Sequence, residues 1–296
     1  MKKPVFRGAC TALVTHFRNG GIDYETLDRL LDTQLAAGIE ALVICGTTGE
    51  AATLDQPETL AIIAHCVRYC GGKTRLIAGT GGNNPAKAVE TARAAAALGV
   101  DALLSVTPYY NRCTQEGLLA HYGAIAAATS LPVLLYNVPS RTCVDISPET
   151  VARLAELPTV AGIKEANPDV SRLLRLRALC GPDFPIYCGS DDRILPFMVC
   201  GAIGAVSVLS NLRPEAVKAL VDAALRGEYA RALQLQMDQQ ELIEALFSEV
   251  SPIPIKAALG LSGLDVGTCR LPLTPPGESL LSRLKLALGQ DDRETA

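Results

Sequence analysis

The feature that most constrains this chain is a unit that recurs eight times along it. A short apolar run is followed by a loop, then by a segment of helical period, then by another short run. The runs fall at residues 9–15, 41–45, 76–78, 102–106, 133–136, 160–164, 186–188 and 205–208. They are aliphatic and mostly lack polar alternation, as parallel strands covered on both faces do. Between them lie helix signals. Asp23 stands before a helix over 24–37 with Leu27, Leu30, Leu31 and Leu35 on one face and Gly38 after it. Gln56-Pro57 opens a helix that stops at Gly71-Gly72. Asn84 caps one with Pro85 first and Gly99 past its end, and Ser147-Pro148 repeats that chemistry. Further helices are expected over 115–129, 169–179 and 192–199. Eight near-even units predict an α/β chain closed into a (β/α)8 TIM barrel. The competing open sheet would want a Gly-rich phosphate turn after the first strand, and Thr15-His16-Phe17-Arg18 supplies none.

Past the eighth strand, helices are expected over 214–225, 230–247 and 277–288, with a Pro-rich stretch over 271–276. No long polar linker precedes them. The chain therefore divides into a catalytic barrel over residues 1–212 and a C-terminal helical appendage over 213–296 packed on it. The tail, 291–296, is expected to fray.

Composition narrows the function. Hydrophobic residues make up 49% and charged residues 20%, with 4% aromatic and no Trp, so the core must be mostly aliphatic. The net charge of −4 gives no basic footprint for nucleic acid. No apolar run approaches the length of a membrane span, and the charged start Met-Lys-Lys-Pro lacks the apolar stretch of a signal peptide. Of the ten cysteines, Cys10, Cys45, Cys66, Cys143, Cys188 and Cys200 stand singly in or beside apolar runs. His16, His65 and His121 are scattered, and no C-x-x-C pair occurs. Buried thiols in a reducing cytoplasm fit this pattern better than a zinc site or disulfides.

Barrel active sites lie at the C-terminal ends of the strands. Those ends carry Gly46-Thr47-Thr48-Gly49-Glu50, Thr107-Pro108-Tyr109-Tyr110-Asn111, Tyr136-Asn137-Val138-Pro139-Ser140-Arg141-Thr142, Lys164-Glu165 and Gly189-Ser190-Asp191-Asp192. Lys164 ends an aliphatic strand. Alternation puts Val160, Gly162 and Lys164 on one face, with Gly162 leaving room beneath the lysine stem. Desolvation there would favour the neutral amine that attack on a carbonyl needs; the alternative is a strand-terminal lysine reaching for solvent. Tyr136 can shuttle protons at that amine, or simply pack. Thr47 and Thr48, with flanking glycines, can hold a small carboxylate, or form a plain capping turn. Arg141 suits a second carboxylate, or is a surface arginine. Glu50 and Glu165 each lie one step past a site-facing residue and read as structural.

Together, in order and on strand ends, these motifs resemble the dihydrodipicolinate synthase family of Schiff-base (class I) aldolases. The resemblance extends over nearly the whole chain, including Ser251-Pro252-Ile253-Pro254-Ile255-Lys256. It implies a lyase that condenses pyruvate with L-aspartate 4-semialdehyde to 4-hydroxy-tetrahydrodipicolinate, in diaminopimelate and lysine biosynthesis. Lys164 would form the imine. Thr48, Tyr136 and Tyr110 would relay protons, Tyr110 in the neighbouring subunit's site. Thr47 and Thr48 would bind the pyruvate carboxylate and Arg141 the semialdehyde's. Val206 would line the site through its carbonyl. A cytoplasmic homotetramer, a dimer of dimers, is implied, and no metal or organic cofactor. N-acetylneuraminate lyase and related 2-keto-acid aldolases share the lysine and the tyrosine; Arg141 marks the synthase pattern. A non-catalytic keto-acid-binding barrel is the remote alternative. At the pocket where lysine-inhibited members hold lysine, Asn83 and Tyr109 match, but Thr59 and Lys87 stand where His and Glu are expected. Weak or absent lysine feedback follows.

Overall fold

A computed structural model describes residues 2–290. Eight parallel strands close into a barrel. They are β1 (Gly8–Ala12), β2 (Ala41–Ile44), β3 (Arg75–Gly79), β4 (Ala102–Val106), β5 (Val133–Asn137), β6 (Val160–Glu165), β7 (Ile186–Cys188) and β8 (Gly204–Ser207). Neighbours in sequence are neighbours in the barrel, and β8 returns to β1 through Gly8↔Gly204 to Thr11↔Ser207. Every strand bears buried side chains on both faces. One set, including Cys10, Val43, Ile77, Leu104, Leu134 and Val206, fills the barrel. The other, including Leu42, Leu103, Leu135, Ile163 and Ile186, packs outward against the helices. That double burial is why the strands read as unbroken apolar runs.

The expected caps form. Asp23 accepts from Thr26 N, Asn84 from Ala86 N, and Ser147 from Thr150 N. Asp55 adds a capping box with Glu58. Each is worth about 1 kcal/mol, and together they start helices at fixed distances from the strand ends. The helix Pro214–Leu225 packs along β1, behind the strand that precedes the first rim loop.

Three local expectations differ from the structure. The segment 230–247 forms two helices, Tyr229–Met237 and Gln240–Leu246, broken at Asp238-Gln239. A helix unforeseen in the sequence, Ile253–Leu261, starts between two prolines and is buried almost all round, so it has no polar face to betray its period. A short hairpin, Phe17–Arg18 with Gly21–Ile22, follows β1. The tail at 291–296 lies outside the described residues.

Strand β6 also departs from simple alternation. Val133 pairs with Val160 but Leu134 pairs with Gly162, so Ala161 is an extra residue. This bulge turns Ala161 into the barrel and leaves Val160 in the outer core. Val160 and Lys164 therefore do not share a face. Nor does Gly162 make room for the lysine stem: a Cβ there would lie 2.6 Å from Pro185 O, so glycine is needed for the approach of the chain entering β7.

Candidate active site

Lys164 lies in β6 with only 5% of its surface exposed. Its cross-strand partners are Tyr136 on β5 and Tyr187 on β7. Tyr187 stacks on Phe6 with ring centroids 4.2 Å apart and donates its hydroxyl to Phe6 O at 2.9 Å. This buried aromatic pair fills the barrel beside the lysine. Lys164 Nζ rests 4.2 Å from the centre of the Tyr136 ring. The amine thus lies against the ring. This contact sets the lysine side chain beside the tyrosine.

What makes room for the lysine is Gly189, just past β7. A Cβ there would come within 3.2 Å of Lys164 Cε and 3.1 Å of Glu165 O. The motif Gly189-Ser190-Asp191-Asp192 was visible on the strand ends, but nothing in the sequence tied its glycine to the lysine. Asp191 is buried next to it. Its Oδ2 accepts from Val208 N at 2.9 Å and Leu209 N at 3.0 Å, fixing the exit of β8 just beyond Val206. Burial raises the Asp191 carboxyl above its ordinary value, against the pull of Ser207, those N–H groups and the Lys164 charge.

Glu165 and Asn137, the residues that follow Lys164 and Tyr136, are fully buried and bonded to each other. Glu165 also accepts from Arg172 Nε at 2.9 Å and Asn167 N at 2.8 Å. Glu50 is likewise buried, paired with Lys256. Both carboxylates are thus engaged in buried ion pairs, and Glu50 also lies on the wall of the cavity.

Around the ends of β2 to β5 lies a cavity of about 350 Å³. Gly46, Thr47, Tyr109, Tyr136 and Arg141 are on its wall. Lys164, Thr48 and Val206 are not: Lys164 sits against Tyr136, while Thr48 and Val206 are buried. Arg141 is carried on a single helical turn, Pro139–Thr142, and donates from Nη2 to Ser251 O at 3.2 Å. Val250–Pro252 and Pro272-Leu273 complete the wall. The appendage therefore forms part of the cavity. Tyr110 is 94% exposed, with φ of +71°, and does not line its own cavity. Cys45 does, but burial pushes its thiol up to about 12, so it is no thiolate at neutral pH. Cys143 is exposed, unlike the buried thiols expected of it.

The family model described as the dihydrodipicolinate synthetase family matches residues 5–290. The chain belongs to that family. A curated 4-hydroxy-tetrahydrodipicolinate synthase of Acetivibrio thermocellus is 43% identical over 288 residues, covering 97% of this chain and 98% of the relative. One from Exiguobacterium sibiricum is 48% identical over 276 residues, covering 93% and 94%. The crystal structure of dihydrodipicolinate synthase from Aquifex aeolicus superposes with a TM-score of 0.95 at 38% identity, covering 96% of this chain and 98% of that one. The dihydrodipicolinate synthase likeness thus spans the barrel and the appendage alike, and the cavity is built from both.

Proposed function

We propose that this chain condenses pyruvate with L-aspartate 4-semialdehyde, through an imine on Lys164, to give 4-hydroxy-tetrahydrodipicolinate. The observation that carries the reading is a buried lysine amine against Tyr136, whose side chain lies on the wall of a cavity that presents Thr47 and Arg141, in a barrel of this family. The neutral amine attacks the keto carbon of pyruvate, and water leaves as the imine forms. Loss of a methyl proton gives the enamine, whose carbon bonds to the aldehyde carbon. The semialdehyde's own amine then displaces Lys164 and closes the ring. Tyr136, Thr48 and the neighbour's tyrosine equivalent to Tyr110 pass the protons. Thr47 and Thr48 hold the pyruvate carboxylate, Arg141 holds the semialdehyde's, and the Val206 carbonyl lines the site.

The exposure of Tyr110 supports a second protomer placed against this rim; the family resemblance implies a dimer of dimers. We read the chain as a cytoplasmic enzyme needing no cofactor; among the described residues no helix is long and apolar enough to cross a membrane. The division at 212/213 belongs to the same proposal.

A coupled assay with pyruvate and aspartate semialdehyde tests the reading. Turnover that K164A abolishes is expected. Cleavage of N-acetylneuraminate with no condensation of the semialdehyde would replace it with the sugar-acid aldolase.

A further inference from the structure

The loop after β2 carries Thr47 and Thr48 and then dips into the protein at Glu50. Glu50 has φ of +57°, and its side chain is 1% exposed. Both carboxylate oxygens are bonded to the appendage. Oε1 accepts from Lys256 Nζ at 2.8 Å, and Oε2 accepts from Arg270 N at 2.8 Å. Lys256 is equally buried and its ammonium is saturated: it also donates to Thr15 O at 2.9 Å and Thr268 O at 3.1 Å. Phe17 gives both cations an aromatic face, with Lys256 Nζ 4.5 Å and the Arg270 guanidinium 4.3 Å from its ring centre. Arg270 then reaches the far side of the same loop. It donates to Thr53 O at 3.0 Å and to both oxygens of Glu58, at 2.6 and 2.7 Å.

A buried ion pair is poor value as a stabiliser, because desolvation consumes most of the attraction. This one has both carboxylate oxygens and all three ammonium protons engaged, and it joins two parts of the chain about two hundred residues apart. Its partners bracket the loop that faces the cavity. The segments on either side of Lys256 and Arg270 supply cavity wall at Ser251 and Leu273. We propose that Glu50 and Lys256 are positioning residues that set Thr47 and Thr48 for the substrate carboxylate, so that the appendage acts on pyruvate binding. The inference rests on the reading that those threonines hold the pyruvate carboxylate.

The test uses the full chain. Pyruvate KM, semialdehyde KM, kcat and melting temperature are measured for E50Q, K256M, the E50Q/K256M double variant and T47V. E50Q keeps an acceptor for Arg270 N and removes the charge. Pyruvate KM is expected to rise by about ten-fold in E50Q and in the double variant, as small misplacements do, with semialdehyde KM changed far less, at temperatures well below melting. A purely structural pair would lower the melting temperature and leave pyruvate KM alone; that result overturns the inference. If T47V leaves pyruvate KM unchanged, the carboxylate assignment fails and takes the inference with it. If T47V raises it and folded E50Q does not, only the inference fails. Should E50Q and K256M not fold, Lys256→Arg keeps the charge but not the ammonium geometry, and an unchanged pyruvate KM there is equally contrary.

Discussion

Asn137 Nδ2 donates to Glu165 Oε1 at 2.8 Å, tying the residue after Tyr136 to the residue after Lys164. The bond locks the ends of β5 and β6 in register, so that the preceding pair of side chains enters the barrel side by side. Burial raises the Glu165 carboxyl above its ordinary value, and Arg172, Asn167 and Asn137 pull it back. Removing Arg172 leaves that carboxyl buried without its cation. Arg172→Met is expected to cost about 3–5 kcal/mol in chemical denaturation, and to slow turnover in whatever protein remains folded. A loss below about 1 kcal/mol would show that the network does not hold these strand ends.

Gly189 yields a prediction about the lysine itself. A methyl group there would sit 3.2 Å from Lys164 Cε and 3.0 Å from Ala166 Cβ. Overpacking of this kind costs about 1–3 kcal/mol. Gly189→Ala should fold, yet form the pyruvate adduct at least about ten-fold more slowly. Single-turnover trapping checks this; a wild-type rate would mean the stem has other room.

Lysine feedback is expected to be weak. Lys87 is exposed in the first turn of the helix Pro85–Ala97, close in sequence to Asn83, whose Nδ2 donates to Tyr109 O at 3.2 Å. A cation there repels the ammonium of a bound lysine. Inhibition curves should show little effect of millimolar lysine, and K87E should increase it. Half-maximal inhibition of the unaltered enzyme at sub-millimolar lysine would contradict this.

His16 sets an acid limit. It is buried, and neither ring nitrogen has a hydrogen-bond partner among the described residues. Burial first, then the Lys256 charge, pushes it down from 6.5 to about 3, against a smaller opposing effect of Asp23. The unfolded chain therefore binds a proton that the folded chain refuses, and stability falls as pH drops from about 6.5 towards 3. Between pH 7 and 5 this group should account for about 2 kcal/mol of lost stability. Denaturation of His16→Gln at both pH values checks it: an undiminished loss would assign the acid sensitivity elsewhere.

The barrel was legible because β1 to β8 are each buried on two faces, which writes them as apolar runs, and because Asp23, Asn84 and Ser147 announce the helices. Lys164, Tyr136, Thr47 and Arg141 could be singled out because strand-end chemistry stands out against aliphatic strands, and the structure brings Tyr136, Thr47 and Arg141 to one cavity wall with Lys164 against Tyr136. What stayed hidden depends on contacts between distant segments. Gly189 matters through Lys164 Cε, and Lys256 through Glu50; neither pairing leaves a periodic trace. The bulge at Ala161 inserts one residue into a run of small apolar side chains, where either face reads the same. The helix Ile253–Leu261 is apolar all round and begins among prolines, so neither period nor cap marked it.

Borohydride trapping with pyruvate, followed by intact mass and peptide mapping, tests the central claim most directly. One reduced adduct per chain, on Lys164, is expected, and none in K164A. A folded, pyruvate-binding chain with no adduct, or an adduct on another lysine, would contradict it.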